Sequence, residues 1–154
     1  MLMIEDKITE LGLALPEATA PLFQYVPVVV HRDMAYVSGQ LPRLNGELVH
    51  TGKVGTDVTI EQAQEAARVC IMNGLACLKQ QLGSLDQIER VVKITGFVNS
   101  ASGFSKQPVV MNAASELLVD IFGEMGKHSR SAVGVAELPS NAPVEIELIV
   151  AVKQ

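Results

Sequence analysis

The charged residues best placed to do chemistry are an arginine and two glutamates near the C-terminus. Arg130 stands just before an apolar run at 132–138, which is typical of a strand that enters a core. A guanidinium group seldom enters a core without a partner, so Arg130 predicts that an anion binds beside it. Glu145 and Glu147 share one face of the last predicted strand, because side chains alternate along a strand. The alternative for these two acids is a solvent-exposed edge of the sheet.

Other kinds of site are not indicated by the sequence. The histidines show no metal-ligand spacing, and the two cysteines do not form a CxxC motif; the histidines are His31, His50 and His128. Neither a GxxxxGK(S/T) loop nor a GxGxxG loop occurs, and the GxSxG elbow of α/β-hydrolases is missing as well. We therefore expect neither a bound metal nor a phosphate-binding cofactor loop.

The composition is rich in apolar and poor in charged side chains. Of the 154 residues, 48% are hydrophobic and 19% are charged, which leaves little polar surface. We expect one domain over residues 1–154, with an apolar surface that meets another subunit. The alternative is a lone domain with an unusually large core. The formal net charge of −5 and the scattered basic residues count against binding to nucleic acid phosphates.

The sequence also bears on where the protein works. Residues 1–13 carry charges where a secretory signal would be apolar, and the longest uncharged stretch is too short for a membrane span. If Cys70 and Cys77 lie on one helix, they are about 10 Å apart along it, which is too far for a disulfide. These features predict a cytoplasmic protein without a membrane partner, in which both cysteines are small buried side chains.

The first third of the chain is predicted to contain a short helix and a group of strands. Apolar residues at helical spacing indicate an N-terminal helix over 4–11, and a linker with two prolines follows at 14–21. Two runs rich in β-branched residues predict strands at 26–30 and 34–38. The Asn45-Gly46 pair predicts a hairpin directly after them.

Two long helices alternate with strands in the remainder. Thr59 begins the first helix with a capping box, and Gly83 ends that helix. A strand at 88–100 follows. Pro108 suits the first turn of the second helix, which Gly123 ends.

The chain finishes with the two strands that carry the charged residues. They are joined by PSNAP at 139–143, which would be their hinge if they pair as a hairpin. The element order, α-ββ(β)-α-β-α-β-β, predicts an α+β domain with one sheet and two long helices on one face.

Five segments follow a known pattern in order: YVSGQLP, TGKVGTDVTIEQAQEAARVCIMNGLACLK, VVKITGFVNSASGF, MNAASELLVDIFGE and RSAVGVAELPSNAPVEIELIV. The last of them is the most specific, since it joins an RSxVxVxxLP block to VEIE. Together they resemble the RidA/YjgF family, and the longer N-terminus resembles a longer branch of it.

The resemblance implies a fold, an assembly and an activity. The fold is chorismate-mutase-like, with a mixed sheet and two long helices on one face, beside the extra short N-terminal helix. The assembly is a homotrimer whose sheets face a central barrel, with clefts between neighbouring subunits. The activity of the deaminase members is hydrolysis of reactive 2-imino acids to 2-keto acids and ammonia, for which no cofactor is needed.

The resemblance assigns four residues to substrate binding. Arg130 is the arginine of the family and would hold a substrate carboxylate by a bidentate, charge-assisted contact. Asn112 is the helix asparagine, and Ser38 is the serine of SGQ. Ala132 stands where typical deaminases carry cysteine, and backbone groups near it would steady the imine nitrogen. The alternatives are a subunit-interface ion pair for Arg130 and a purely structural hydrogen bond for Asn112.

Two further residues are assigned to catalysis by the same resemblance. Glu145 would act through a water molecule as general base and would return a proton to the leaving ammonia. Tyr25, thirteen residues before Ser38, would wall the cleft and offer a hydroxyl group. Because Arg130 and Glu145 are fifteen residues apart on strands joined by a turn, we expect no direct salt bridge between them within one chain.

Two other functions remain open at this point. One is capture of a small carboxylate or carbonyl metabolite in the same trimeric cleft, without turnover. The other is a nuclease or an inhibitor of translation, a label often attached to this family, against which the acidic net charge counts.

Overall fold

The computed structural model describes residues 2–18 and 24–154, so part of the predicted linker at 14–21 lies outside the described residues. Three α-helices lie within them: α1 (Ile4–Glu10), α2 (Ile60–Leu82) and α3 (Gln107–Phe122). The strands are β1 (Val28–His31), β2 (Met34–Gln40), β3 (Arg43–Leu44), β4 (Glu47–Leu48), β5 (Ile88–Asn99), β6 (Ser129–Val135) and β7 (Val144–Val152). The predicted order of helices and strands is confirmed, except that the one optional strand before α2 is a pair, β3 and β4, which forms a small sheet of its own beside the predicted one.

Five of these strands form one mixed sheet in the order β1-β2-β7-β5-β6. Only the pairing of β5 with β6 is parallel within this sheet; its other pairings are antiparallel. The two C-terminal strands do not form a hairpin, because β5 lies between β6 and β7. The segment PSNAP at 139–143 therefore bridges two strands that are not neighbours.

Both long helices pack on one face of the sheet, as predicted. Side chains of this face form a continuous row across three strands, in which Val37 pairs with Leu148 and Leu148 with Ile94. All three are buried. A Cβ atom on Gly74 would lie 2.7 Å from Leu148 Cδ1, so this glycine lets α2 lie close on the sheet. The result is the predicted α+β fold.

The local signals read from the sequence have the predicted geometry. The Thr59 side chain accepts from the backbone N–H of Gln62, and the Gln62 side chain accepts from the backbone N–H of Thr59. Asn45 and Gly46 both have positive φ and join β3 to β4. Such a turn matches the twist of the strands that it connects.

The other face of the sheet carries apolar side chains that remain partly exposed. Val29, Tyr36 and Ile149 form one row across it, and Phe97 pairs with Val133 in another. Val29 is 52% exposed, Tyr36 45% and Val133 43%. We call this surface the open face. None of the helices in the described part of the chain is long and apolar enough to cross a membrane.

Candidate functional site

Arg130 lies on β6, one of the two edge strands of the five-stranded sheet. It pairs with Ile94, so its side chain points to the helix-covered face and meets α3. Its Nη1 atom donates to Asn112 Oδ1 at 3.0 Å and to Ser115 Oγ at 3.1 Å. Asn112 and Ser115 are three residues apart on α3, a spacing that places both on one side of the helix. Two side chains of α3 therefore hold the guanidinium group in place within one chain.

The two contacts of Arg130 have a consequence for its other nitrogen atoms. Nη1 carries two hydrogens, and the two acceptors on α3 use both of them. Nε and Nη2 have no hydrogen-bond or ion-pair partner in the described ranges, although Arg130 is half-buried. These two nitrogens hold parallel N–H groups that match the two oxygens of a carboxylate. The half of the guanidinium suited to bidentate binding is the free half.

A histidine completes the surroundings of Arg130. His128 Nε2 lies 2.9 Å from Ser115 Oγ, and its Nδ1 lies 2.6 Å from the Gly126 carbonyl oxygen. We call Asn112, Ser115, His128 and Arg130 the arginine cluster. Sequence reasoning missed Ser115 and His128. A signal existed, because His128 stands two residues before Arg130, directly before the start of β6, and side chains alternate with a period of two in an extended chain.

Ala132 continues the same face of β6 and packs, half-buried, against the hydrophobic core. It pairs with Gly96 of β5. Its methyl group therefore takes part in the packing between strand and helix.

Glu145 lies on the open face of the central strand β7. It pairs with Phe97, and Glu147 pairs with Thr95, so both acids point to the same side, as predicted. Burial raises the pKa of Glu145, and the nearby charge of Glu147 adds to the rise. Glu145 makes no hydrogen bond or ion pair with any residue that the structure describes. It is a half-buried carboxyl group that still lacks a partner.

A bulge in β2 makes room for this carboxyl group. The pairing of β2 with β7 shifts between Val37 and Gln40. A Cβ atom on Gly39 would lie 3.0 Å from Glu145 Cδ and 3.1 Å from its Oε1, so a side chain here would crowd the carboxyl. We call Ser38, Gly39, Glu145 and Glu147 the glutamate patch.

Ser38 ties the patch to the segment before β1. Its Oγ donates to the Val26 carbonyl oxygen at 2.8 Å, and its N–H donates to the Pro27 carbonyl oxygen at 2.9 Å. These bonds fix the chain directly after Tyr25, whose side chain is 54% exposed. The serine hydroxyl hydrogen is thus used within the fold, which leaves its oxygen free to accept.

The residues predicted for one site therefore form two groups on one chain. Arg130, Asn112 and Ala132 lie on the helix-covered side of an edge strand, whereas Glu145 and Ser38 belong to the open side. Strand β5 separates β6 from β7, which puts their backbones about 10 Å apart. No salt bridge joins Arg130 to Glu145 within the described residues, as expected.

The chain matches known proteins over almost its whole length. A family model described as "YjgF/chorismate mutase-like, putative endoribonuclease" matches residues 5–151. The crystal structure of protein Atu1372 from Agrobacterium tumefaciens, whose function is unknown, superposes with a TM-score of 0.91. Its sequence is 46% identical to this one, and the match covers 97% of this chain and 92% of that chain.

Two curated relatives carry different names. Protein TCP17 of Trypanosoma cruzi is 42% identical, over 96% of this chain and 92% of its own length. The 2-iminobutanoate/2-iminopropanoate deaminase of Dermatophagoides farinae is 30% identical, over 92% of this chain and 95% of its own length. The region matched by the family model contains both the arginine cluster and the glutamate patch.

Proposed function

Because the chain belongs to the YjgF/chorismate mutase-like family, we propose that it hydrolyses small 2-imino acids to 2-keto acids and ammonia. The observation that carries this proposal is the free half of the Arg130 guanidinium. Two acceptors on α3 hold Nη1, while Nε and Nη2 face away from them with parallel N–H groups. A relative named as a deaminase of such substrates supports the same reaction.

The arginine cluster supplies the binding step. A carboxylate on Nε and Nη2 forms two charge-assisted hydrogen bonds, which contribute about 1.5–3 kcal/mol to binding. This contact fixes the carboxylate end of the substrate, and the imine carbon beside it then points out of the cluster. Backbone groups at Ala132 lie next along the strand, where they can steady the imine nitrogen.

Glu145 supplies the proton transfers. As its carboxylate takes a proton from a water molecule, the water oxygen bonds to the iminium carbon and gives a neutral carbinolamine. The protonated Glu145 then gives its proton to the amine nitrogen. The C–N bond breaks and the hydroxyl proton passes to Glu145 as the keto group forms. Glu145 then gives this proton to the departing ammonia, which leaves as ammonium, and the carboxylate is restored. A raised pKa suits this role, because the same group must both accept and release a proton near neutral pH.

A second subunit is needed to join the two groups. Arg130 and Glu145 lie on opposite sides of one sheet, so a substrate held by one does not reach the other in the same chain. We propose a homotrimer in which the open faces form a central barrel and clefts lie between neighbours. Tyr25 would wall such a cleft. The exposed apolar side chains of the open face support this assembly. Light scattering should return the mass of three chains, and a monomer would exclude a shared site.

Capture of a small carboxylate without turnover is a second candidate function. It is favoured by one observation: the arginine cluster is complete within the chain, whereas Ala132 stands where deaminases carry a cysteine. Cleavage of RNA receives less support, because the net charge of −5 does not favour binding to a phosphate backbone.

A coupled assay tests the proposal directly. A pyridoxal-phosphate dehydratase acting on threonine releases 2-iminobutyrate, and the formation of 2-oxobutyrate is followed with and without this protein. We expect faster formation with wild type, and no acceleration with Arg130→Ala. A wild-type protein that binds 2-oxobutyrate in calorimetry but leaves the rate unchanged would be a binding protein, and the hydrolase proposal would be wrong.

A further inference from the structure

We propose that His128 and Ser115 are positioning residues that hold Arg130 in the orientation needed to bind a carboxylate. The proposal rests on the proposed function, because it concerns the same arginine. It gives a role to His128, which is linked to Arg130 through Ser115. The resemblance to the family assigns a role to neither residue.

The hydrogen-bond partners fix where each hydrogen lies. The Gly126 carbonyl oxygen can only accept, so the hydrogen of a neutral His128 is on Nδ1, which is 2.6 Å from that oxygen. Nε2 is then an acceptor and takes the hydroxyl hydrogen of Ser115 at 2.9 Å. The Ser115 oxygen keeps its lone pairs for the Arg130 Nη1–H at 3.1 Å. Arg130 therefore donates to Ser115, Ser115 donates to His128, and His128 donates to the Gly126 carbonyl oxygen.

This direction matters because a serine hydroxyl can rotate. Without an acceptor at Nε2, the Ser115 hydroxyl would rotate to donate to a backbone carbonyl one turn earlier on α3, and its lone pairs would then turn away from the Arg130 Nη1–H group. His128 prevents that rotation and keeps an acceptor in front of the guanidinium. Nη1 then stays between Ser115 and Asn112, and the Nε/Nη2 side stays turned outward. His128 thus acts on substrate through two other side chains.

The same pair could be taken for a nucleophile with its base, because a histidine accepts a serine proton in such sites. The Arg130 contact argues for positioning instead. A cation that donates to the Ser115 oxygen withdraws electron density from it, so this oxygen is a poorer nucleophile. In addition, the proposed hydrolysis needs no covalent intermediate.

Two substitutions of His128 separate the role in positioning from a role in folding. In His128→Asn, the amide nitrogen replaces Nδ1 and can still donate to Gly126, but nothing replaces Nε2. In His128→Gln, the longer side chain can place its oxygen near the Nε2 position and accept from Ser115. His50→Asn serves as the matched control, since the side chain of His50 bonds to Glu65, away from the cluster.

The main readout is affinity for 2-oxobutyrate by calorimetry, with KM and kcat from the coupled assay. Loss of one orienting hydrogen bond should weaken binding by about three- to tenfold in His128→Asn and Ser115→Ala. KM should rise while kcat changes little, because Glu145 is untouched. His128→Gln should recover most of the affinity, and the double variant of His128→Asn with Ser115→Ala should be no weaker than either single one.

A second readout needs no ligand. The order parameter of the Arg130 Nε–H bond, measured by ¹⁵N relaxation in NMR, should fall in His128→Asn and Ser115→Ala and recover in His128→Gln. The positioning role is wrong if both His128 variants bind 2-oxobutyrate like wild type and keep the Arg130 side chain as ordered. It is also wrong if both variants lose stability equally while the order of Arg130 is unchanged. If wild type holds Arg130 rigid but binds no keto acid, the positioning stands and the proposed function fails.

Discussion

The arginine cluster and the glutamate patch differ in how much of each is completed within one chain. Arg130 has two acceptors on α3 and a histidine behind one of them. Glu145 has no polar partner among the described residues, and burial raises its pKa. The Arg130 guanidinium group is held by hydrogen bonds within the chain. The Glu145 carboxyl group is partly desolvated beside Gly39.

The difference fits the two kinds of work that we propose. A group that binds a carboxylate gains from being held in place, because less freedom is lost when the ligand arrives. A group that accepts and returns a proton gains from a poorly stabilised charge, because its pKa then lies closer to neutral. In the proposed trimer, a neighbouring subunit would complete the site at the open side of Glu145. The following experiments can break or sharpen this comparison.

The largest effect is expected at Glu145. Glu145→Gln keeps the shape but removes the base, so kcat should fall by about 10²-fold or more while 2-oxobutyrate still binds. Glu147→Gln is the matched control on the same face. It only alters the field at Glu145 and should cost no more than several-fold. Equal rates for Glu145→Gln and wild type would remove Glu145 from the mechanism and leave it as a solvent-exposed edge residue.

The next effect tests whether the two groups meet between subunits. Arg130→Ala and Glu145→Gln are each expected to be inactive alone. When the two variant chains are unfolded together and refolded as mixed trimers, about one quarter of the clefts should pair an intact Arg130 with an intact Glu145. Activity should therefore return to about one quarter of wild type. No recovery from properly mixed trimers would show that the cleft is not shared.

A smaller effect is expected for binding when Arg130 itself is changed. Arg130→Ala should weaken 2-oxobutyrate binding by about 10–100-fold, and Arg130→Lys should also weaken it, because an ammonium group lacks the planar pair of donors. Both variants should remain trimers in a sizing experiment. If Arg130→Ala dissociates instead, the arginine is an interface ion pair, for which loss of one partner costs about 3–5 kcal/mol.

Much of the fold could be predicted from local rules. Thr59 with Gln62, Asn45-Gly46 and Gly83 each act through their immediate neighbours, so their spacing along the sequence is enough to place helix ends and turns. Strand pairing is different, because it depends on how distant segments meet. Insertion of β7 between β2 and β5 has no local signal, so the sequence left open whether the strands on either side of PSNAP pair, and the structure shows that they do not.

The candidate site shows the same limit. The alternation rule placed Glu145 and Glu147 together, since both belong to one strand. It could not relate the sheet face of the two glutamates to that of Arg130, because the alternation of side chains holds within one strand and does not continue through the connection to the next. The seat of Arg130 on Asn112 and Ser115 arises only when the parallel connection from β5 through α3 to β6 brings helix and strand together.

The smallest effect is on stability, and its sign follows from the pKa of Glu145. Burial raises that pKa above its ordinary value of 4.5, so the folded state holds the proton more tightly than the unfolded state. The free energy of unfolding therefore falls as pH rises from the unfolded pKa of Glu145 through its folded pKa. Below both pKa values the carboxyl is neutral in both states, and its burial as a charge costs the fold nothing.

Glu145→Gln should accordingly be more stable than its parent at pH 8 and no more stable at pH 3, when unfolding by denaturant is measured at both. The measurement is best made with Arg130→Ala as the parent, so that a neighbour's guanidinium does not stabilise the carboxylate. Glu147→Gln should give a smaller gain, since its charge is the lesser cause of the shift. A Glu145→Gln variant that is less stable at pH 8 would mean that folding favours the carboxylate. The contrast between a fixed arginine and a poorly stabilised glutamate would then be lost, and with it the physical reason for assigning proton transfer to Glu145.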